Sequence, residues 1–152
     1  MYDNWAANMT VVLATAAAVA LCIIVHYEGL LYTTRDLQRT RGRQRSKLLH
    51  AIFSMLGLHI IEIWIFGLIV WGLLHWPACG QLYLLGKLEA SPLLLDSIYL
   101  SAVTYTTVGF GDIVPVGPVR FVTGTEALTG FLLIGWSASF TYLEMERFWK
   151  TS

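Results

Sequence analysis

Three apolar runs, at residues 9–27, 51–75 and 120–142, dominate this chain. Each is about as long as the roughly 20 residues a helix needs to cross a hydrocarbon layer. With 152 residues in all, little sequence lies outside them. Hydrophobic residues make up 56% of the chain and charged residues 13%, with a mean hydropathy of +0.61. That balance belongs to an integral membrane protein rather than to a soluble domain with a large core. Backbone polar groups in lipid must be satisfied within the protein, so helices are the expected form of all three runs. The expected fold class is an all-α membrane protein with three transmembrane helices.

Between the second and third runs the chain reads Thr106-Thr107-Val108-Gly109-Phe110-Gly111-Asp112. Non-helical backbone is tolerated at membrane depth only where protein buries it or water lines it. The residue types supply a reason for such a segment. Gly109 and Gly111 can take positive φ, so carbonyls that normally alternate can all face one way. An extended backbone rises about 3.3 Å per residue. The carbonyls of Thr107, Val108, Gly109 and Phe110 would then stack at about that spacing, with the Thr107 hydroxyl as a further ring at the inner end. The pattern predicts a cation site made of main-chain oxygens. A ring of four copies is needed to surround the ion, and each chain has one such segment.

Residues 93–140 resemble the pore domain of the tetrameric potassium channels of bacterial type. The shared features are a re-entrant pore helix, the Thr-Val-Gly-Phe-Gly-Asp filter loop and an inner helix, here preceded by one extra N-terminal helix. The resemblance implies K+ ions bound at Thr107, Val108, Gly109 and Phe110, with Gly111 completing the filter. It implies support and an outer mouth from Thr106, Tyr99 and Asp112. Phe110 replaces the commoner tyrosine, and potassium selectivity is still implied. Tyr99 occupies the place of an aromatic whose polar tip reaches toward Asp112. Val103 stands where some bacterial relatives carry a glutamate paired with that aspartate, so that pairing does not transfer. Asp112, repeated four times, would concentrate cations at the mouth. Gly130 aligns with the inner-helix gating hinge, given a one-residue deletion in Val116-Gly117-Pro118. Gly124 and Gly135 are candidates for close helix packing, and Gly135, Ser137, Ala138 and Ser139 would line a roomy vestibule.

The expected layout is a peripheral helix in 1–32, a basic cytoplasmic loop at 33–50, a pore domain at 51–143 and a short tail at 144–152. Within the pore domain it comprises an outer helix 51–75, a turret 76–91, a pore helix 92–106, the filter 107–112 and an inner helix 119–143. Ser91 suits the cap of the pore helix, Pro92 its first position and Asp96 its first turns. Arg35, Arg39, Arg41, Arg43, Arg45 and Lys47 crowd the 33–50 segment and place it in the cytoplasm. The N-terminus is then outside and the C-terminus inside a plasma (inner) membrane. Arg39, Arg41, Arg43, Arg45 and Lys47 are also candidates for contact with anionic lipid, at about 1 kcal/mol each. They are too closely spaced, and too polar in their surroundings, for a voltage sensor. The net charge of zero does not bear on nucleic acid, and the basic segment is short and flanked by spans, so no nucleic-acid partner is expected.

Glu126 is the costliest residue of the third run, because a carboxylate near mid-membrane costs about 2.5–3.5 kcal/mol on insertion scales. It is expected to brace the filter or pore helix from behind through Thr104 or a water, or else to be a protonated acid with a local hydrogen bond. His59 and Glu62 share one helix face and are expected to dock the first helix or a neighbouring subunit, with a pH-sensing role open to His59. Cys22 and Cys79 would lie at different depths, so free thiols are expected. The four histidines show no ligand spacing together, and no nucleophile constellation or carboxylate pair suggests an enzyme. No cofactor is expected beyond K+ in the filter. With ten residues after Tyr142, no cytoplasmic ligand-binding domain is expected either. The function expected is passive, potassium-selective conduction by a homotetramer in the lipid bilayer. The alternative is a non-conducting accessory subunit that keeps the pore fold.

Overall fold

The computed structural model describes residues 4–39, 44–84, 87–89 and 93–150. Its elements run α1 (Trp5–Arg39), α2 (Gln44–Leu74), β1 (Gln81–Leu84), β2 (Lys87–Glu89), α3 (Leu94–Tyr105), β3 (Ile113–Val116) and α4 (Arg120–Lys150). Two of these helices, over Trp5–Arg39 and Arg45–Leu74, are long and apolar enough to cross a membrane. The third run expected to span is also helical, in the 31-residue α4, but among the described residues it is not one of the helices that long and apolar. That helix carries Thr123, Thr125, Glu126, Thr129, Ser137, Ser139 and Thr141 along its length.

The basic loop expected at 33–50 is mostly helix. α1 continues without a break through Arg39, and α2 begins at Gln44. Arg, Lys, Gln and Leu are good helix formers, and nothing in the described part of this segment stops a helix. At 1.5 Å per residue, the 35 residues of α1 reach about 52 Å, well beyond a hydrocarbon layer. Arg35 and Arg39 therefore ride on the end of α1, and Arg45 and Lys47 on the start of α2. Arg41 and Arg43 lie outside the described residues. The expected tail likewise continues the inner helix as far as Lys150.

α1 packs along α2 and α4. Its buried face includes Ala7, Val11, Thr15, Ala18 and Cys22, small side chains that let helix backbones approach closely. The short α3 is held between α2 and α4, with a glycine opposite it on each. A Cβ at Gly67 of α2 would lie 2.9 Å from the Cα of Ile98, and one at Gly130 of α4 would lie 2.1 Å from the carbonyl oxygen of Tyr105. A Cβ at Gly124 or Gly135, the two positions expected to pack closely, would meet nothing within 4 Å among the described residues. Close packing thus falls at Gly130, because the end of α3 crosses α4 there. α3 starts at Leu94, later than expected, with Leu93 extended at the cap position and no side-chain cap. Ser91 and Pro92 lie outside the described residues.

The turret supplies β1 and β2, which join β3 from beyond the 106–112 segment in a three-stranded antiparallel sheet of order β2-β1-β3. Leu82 pairs with Glu89 on one side and with Pro115 on the other. Pro115 is tolerated because β3 is an edge strand. The Val119 amide donates to the Cys79 carbonyl at 2.8 Å. Ladder and bond together strap the end of α2 to the chain that leaves the 106–112 segment.

Candidate functional site

Residues 106–112 connect the C-terminal end of α3 to β3, and every one of them is exposed in the single chain. Val108 and Phe110 are 55% and 70% exposed. The backbone alternates in hand. Thr107, Gly109 and Gly111 have φ of 59°, 54° and 79°, while Val108 and Phe110 keep negative values. Alternation of this kind turns successive peptide planes the same way, so the carbonyls can form one oxygen-lined edge. The positive φ of Thr107 has no glycine to signal it in the sequence. A non-glycine residue held there stores roughly 1–2 kcal/mol, a cost met characteristically at functional sites.

Short bonds anchor the segment at both ends. The Thr106 amide and hydroxyl donate to the Ala102 carbonyl at 3.2 and 2.7 Å. The Thr107 amide donates to Thr104 O at 2.9 Å and the Gly109 amide to Val103 O at 3.0 Å. At the far end, Tyr99 Oη donates to Asp112 Oδ2 at 2.8 Å, and the Ile113 amide donates to Asp112 Oδ1 at 3.1 Å. Both oxygens of the Asp112 carboxylate are therefore held. α3 also directs the negative end of its dipole toward the start of the segment. Behind it lies an open groove of about 390 Å³, lined in part by Leu100, Val103, Gly111, Ile113, Thr123 and Ala127.

Glu126 is fully buried and meets Ser101 of α3 through Oε1, in place of the expected Thr104 or water. Ser101 lies three residues earlier on the same helix, on the face turned to α4. The Ser101 hydroxyl also contacts the Ile63 carbonyl of α2 at 2.7 Å, so one side chain joins three helices. No described residue hydrogen-bonds Glu126 Oε2. Gly130 abuts Tyr105 within a continuous α4. Arg39 and Arg45 are exposed at the helix ends and Lys47 is half-buried.

A second polar centre lies at the C-terminal end of α3, around Tyr105. Glu62 accepts from His26 Nδ1 of α1 at 2.8 Å, from His59 Nδ1 at 3.0 Å and from Tyr105 Oη. The His59–Glu62 pair expected from spacing does dock the first helix, through His26. Sequence reasoning passed over His26 and Tyr105. An ionisable residue inside an apolar span was the available signal for His26, and Tyr105 gave none. Both cysteines are free and buried. Burial raises the Cys79 thiol above its ordinary pKa.

Residues 48–145 match the family described as Ion channel. Over 41 residues the chain is 46% identical to Protein LctB of Bacillus caldotenax and to Protein LctB of Geobacillus stearothermophilus. Those stretches cover 27% of this chain and 31% of each relative, so the match spans under a third of the relatives' length. No solved structure matches. The family match takes in nearly all of α2, the sheet, α3, the 106–112 segment and most of α4. Covering more than half of the sequence, it shows that this chain belongs to the ion channel family and is a membrane channel protein rather than an enzyme.

Proposed function

We propose that the protein is a potassium-selective channel in which four copies of the 106–112 segment surround a single-file pore. The alternating backbone hand at Thr107, Val108, Gly109, Phe110 and Gly111 carries this reading. It is the conformation that lets consecutive carbonyls replace the water around a dehydrated cation. A lone chain leaves this oxygen edge and the side chains of Val108 and Phe110 open, which favours assembly with other copies around a common axis. In that assembly K+ is the cargo, held at Thr107, Val108, Gly109 and Phe110. Asp112 rings the mouth, braced by Tyr99 and by the Ile113 amide, and Thr106 ties the pore helix to the filter.

The three long helices each span the bilayer in this reading, with the N-terminus outside and the basic helix ends in the cytoplasm of a plasma (inner) membrane. Arg45 and Lys47 occupy the first turn of α2, where the positive end of the helix dipole disfavours cations. Their placement there is better explained by topology and contact with anionic lipid than by helix stability. Gly130 serves chiefly to seat the end of the pore helix, and any hinge motion of α4 would begin at that contact.

The test is ion flux from liposomes containing the full-length protein, with potassium and sodium gradients in parallel. Wild type should pass potassium and exclude sodium, and Gly109→Ala should abolish the selective flux. Equal sodium and potassium flux would overturn the selectivity. A folded tetramer that passes neither ion, in anionic lipid and across pH, would favour a non-conducting accessory subunit.

A further inference from the structure

We propose that His26, His59 and Glu62 form a binding site for one divalent first-row transition ion per chain, of the Zn2+ class, clamping the extra helix α1 to the pore domain. One metal-binding atom from each of the three residues lies within 4.8 Å of the others. They come from two helices, and a third helix adds Tyr105 Oη, 3.0 Å from His59 Nδ1. Imidazole nitrogens with a carboxylate are the donor set of zinc-type ions, and three protein ligands with an open fourth position is a common arrangement.

Proton count favours an ion at this centre. His59 Nδ1, Glu62 Oε2 and Tyr105 Oη are all in mutual contact. A carboxylate brings no hydrogen, so the imidazole and phenol supply two hydrogens for three close contacts. A cation between the donor atoms satisfies all of them at once. Bonds of about 2.1 Å in a tetrahedron separate ligand atoms by roughly 3.4 Å. The present 2.8 and 3.0 Å contacts to Glu62 would open by about half an ångström, within reach of rotamer adjustment. The outer contact is also in place. With its Nδ1 on the metal, His26 carries its hydrogen on Nε2, which faces Ser137 Oγ of α4 at 3.5 Å. Ligating histidines usually have such a partner. His26 and Glu62 are fully buried and the His59 side chain is 16% exposed, so an ion would arrive by way of His59.

The site does not depend on which ion the pore conducts. Its consequence is mechanical: α1, α2 and the end of the pore helix become one rigid unit just behind the filter. The test is Co2+ titration of the full-length protein in detergent, read by visible absorption and by metal analysis after dialysis. One Co2+ per chain with intense four-coordinate bands is expected. Glu62→Gln and His26→Asn should each weaken binding more than about 100-fold, beyond the 10–100-fold of a lost outer partner expected for Ser137→Ala. His75→Asn, at an exposed histidine bonded to the Trp71 carbonyl, should leave binding unchanged. Wild type that binds no Co2+, gives only weak octahedral bands, or shows a sulfur-to-cobalt charge-transfer band would overturn the site. The wild-type spectrum decides this even where a variant fails to fold.

Discussion

Gly109 and Thr107 meet the same backbone demand with different side chains. Both sit in the left-handed region, at φ 54° and 59°, so a Cβ at Gly109 would add about 1–2 kcal/mol of strain per subunit. Among the described residues nothing lies within 4 Å of that Cβ. Gly109→Ala should therefore leave the helices folded while the flux assay loses potassium selectivity. Gly130→Ala is expected to act differently, since its Cβ would enter the Tyr105 carbonyl. It should lower the thermal midpoint of the purified protein by several degrees, whereas Gly124→Ala should shift it little. At Glu126 the hydrogens again matter. The Ser101 hydroxyl has one hydrogen and two acceptors in reach, the Ile63 carbonyl and Glu126. A protonated Glu126 would donate the missing one. Glu126→Gln, which carries its own donor, should then keep near-wild-type stability and flux, and Glu126→Ala should lose about 2–5 kcal/mol of stability through cavity and lost bonds.

At the scale of elements, the sheet is the part that the sequence concealed. Its strands are three or four residues long, and β1 and β3 pair across some thirty residues that include the pore helix and the filter segment. No local periodicity can announce such a ladder. The strap it forms encloses Cys79, whose thiol is buried and raised in pKa. The thiolate is the reactive form, so less of it is present at neutral pH than for an ordinary cysteine. In a Cys22→Ala background, a membrane-impermeant maleimide should label Cys79 slowly at pH 7, faster as pH rises, and fully on denaturation. Rapid labelling at pH 7 would show the strap to be open. The helix ends gave the opposite lesson. The polar, basic segment looks like a loop in sequence, yet its described residues are helical because helix propensity does not depend on leaving the membrane.

For the whole molecule the question is how many chains complete the pore. A single copy leaves the 106–112 segment exposed with an open groove behind it, and the proposed assembly closes both by four-fold rotation. Native mass spectrometry from detergent should find four times the 17.0 kDa chain mass, and a monomer or dimer under conducting conditions would sink the proposal. The extra helix lies against α2 and α4 within one chain, with His26 reaching Glu62. It is an integral part of the subunit's packing.

The sequence by itself determined the membrane class, the long helices and the 106–112 segment. Each depends on local chemistry: runs of apolar residues need lipid or core, and glycines at 109 and 111 permit a backbone that other residues resist. It also made Tyr99 and Asp112 candidates for a common place, by way of resemblance. Only the tertiary structure decided that Ser101 answers Glu126, that Gly130 seats Tyr105, and that His26 completes the pair at Glu62. Those contacts join residues 25 or more positions apart, on helices whose rotation about their own axes is set by packing. A sequence shows that a buried polar group must have a partner, and the fold decides which one.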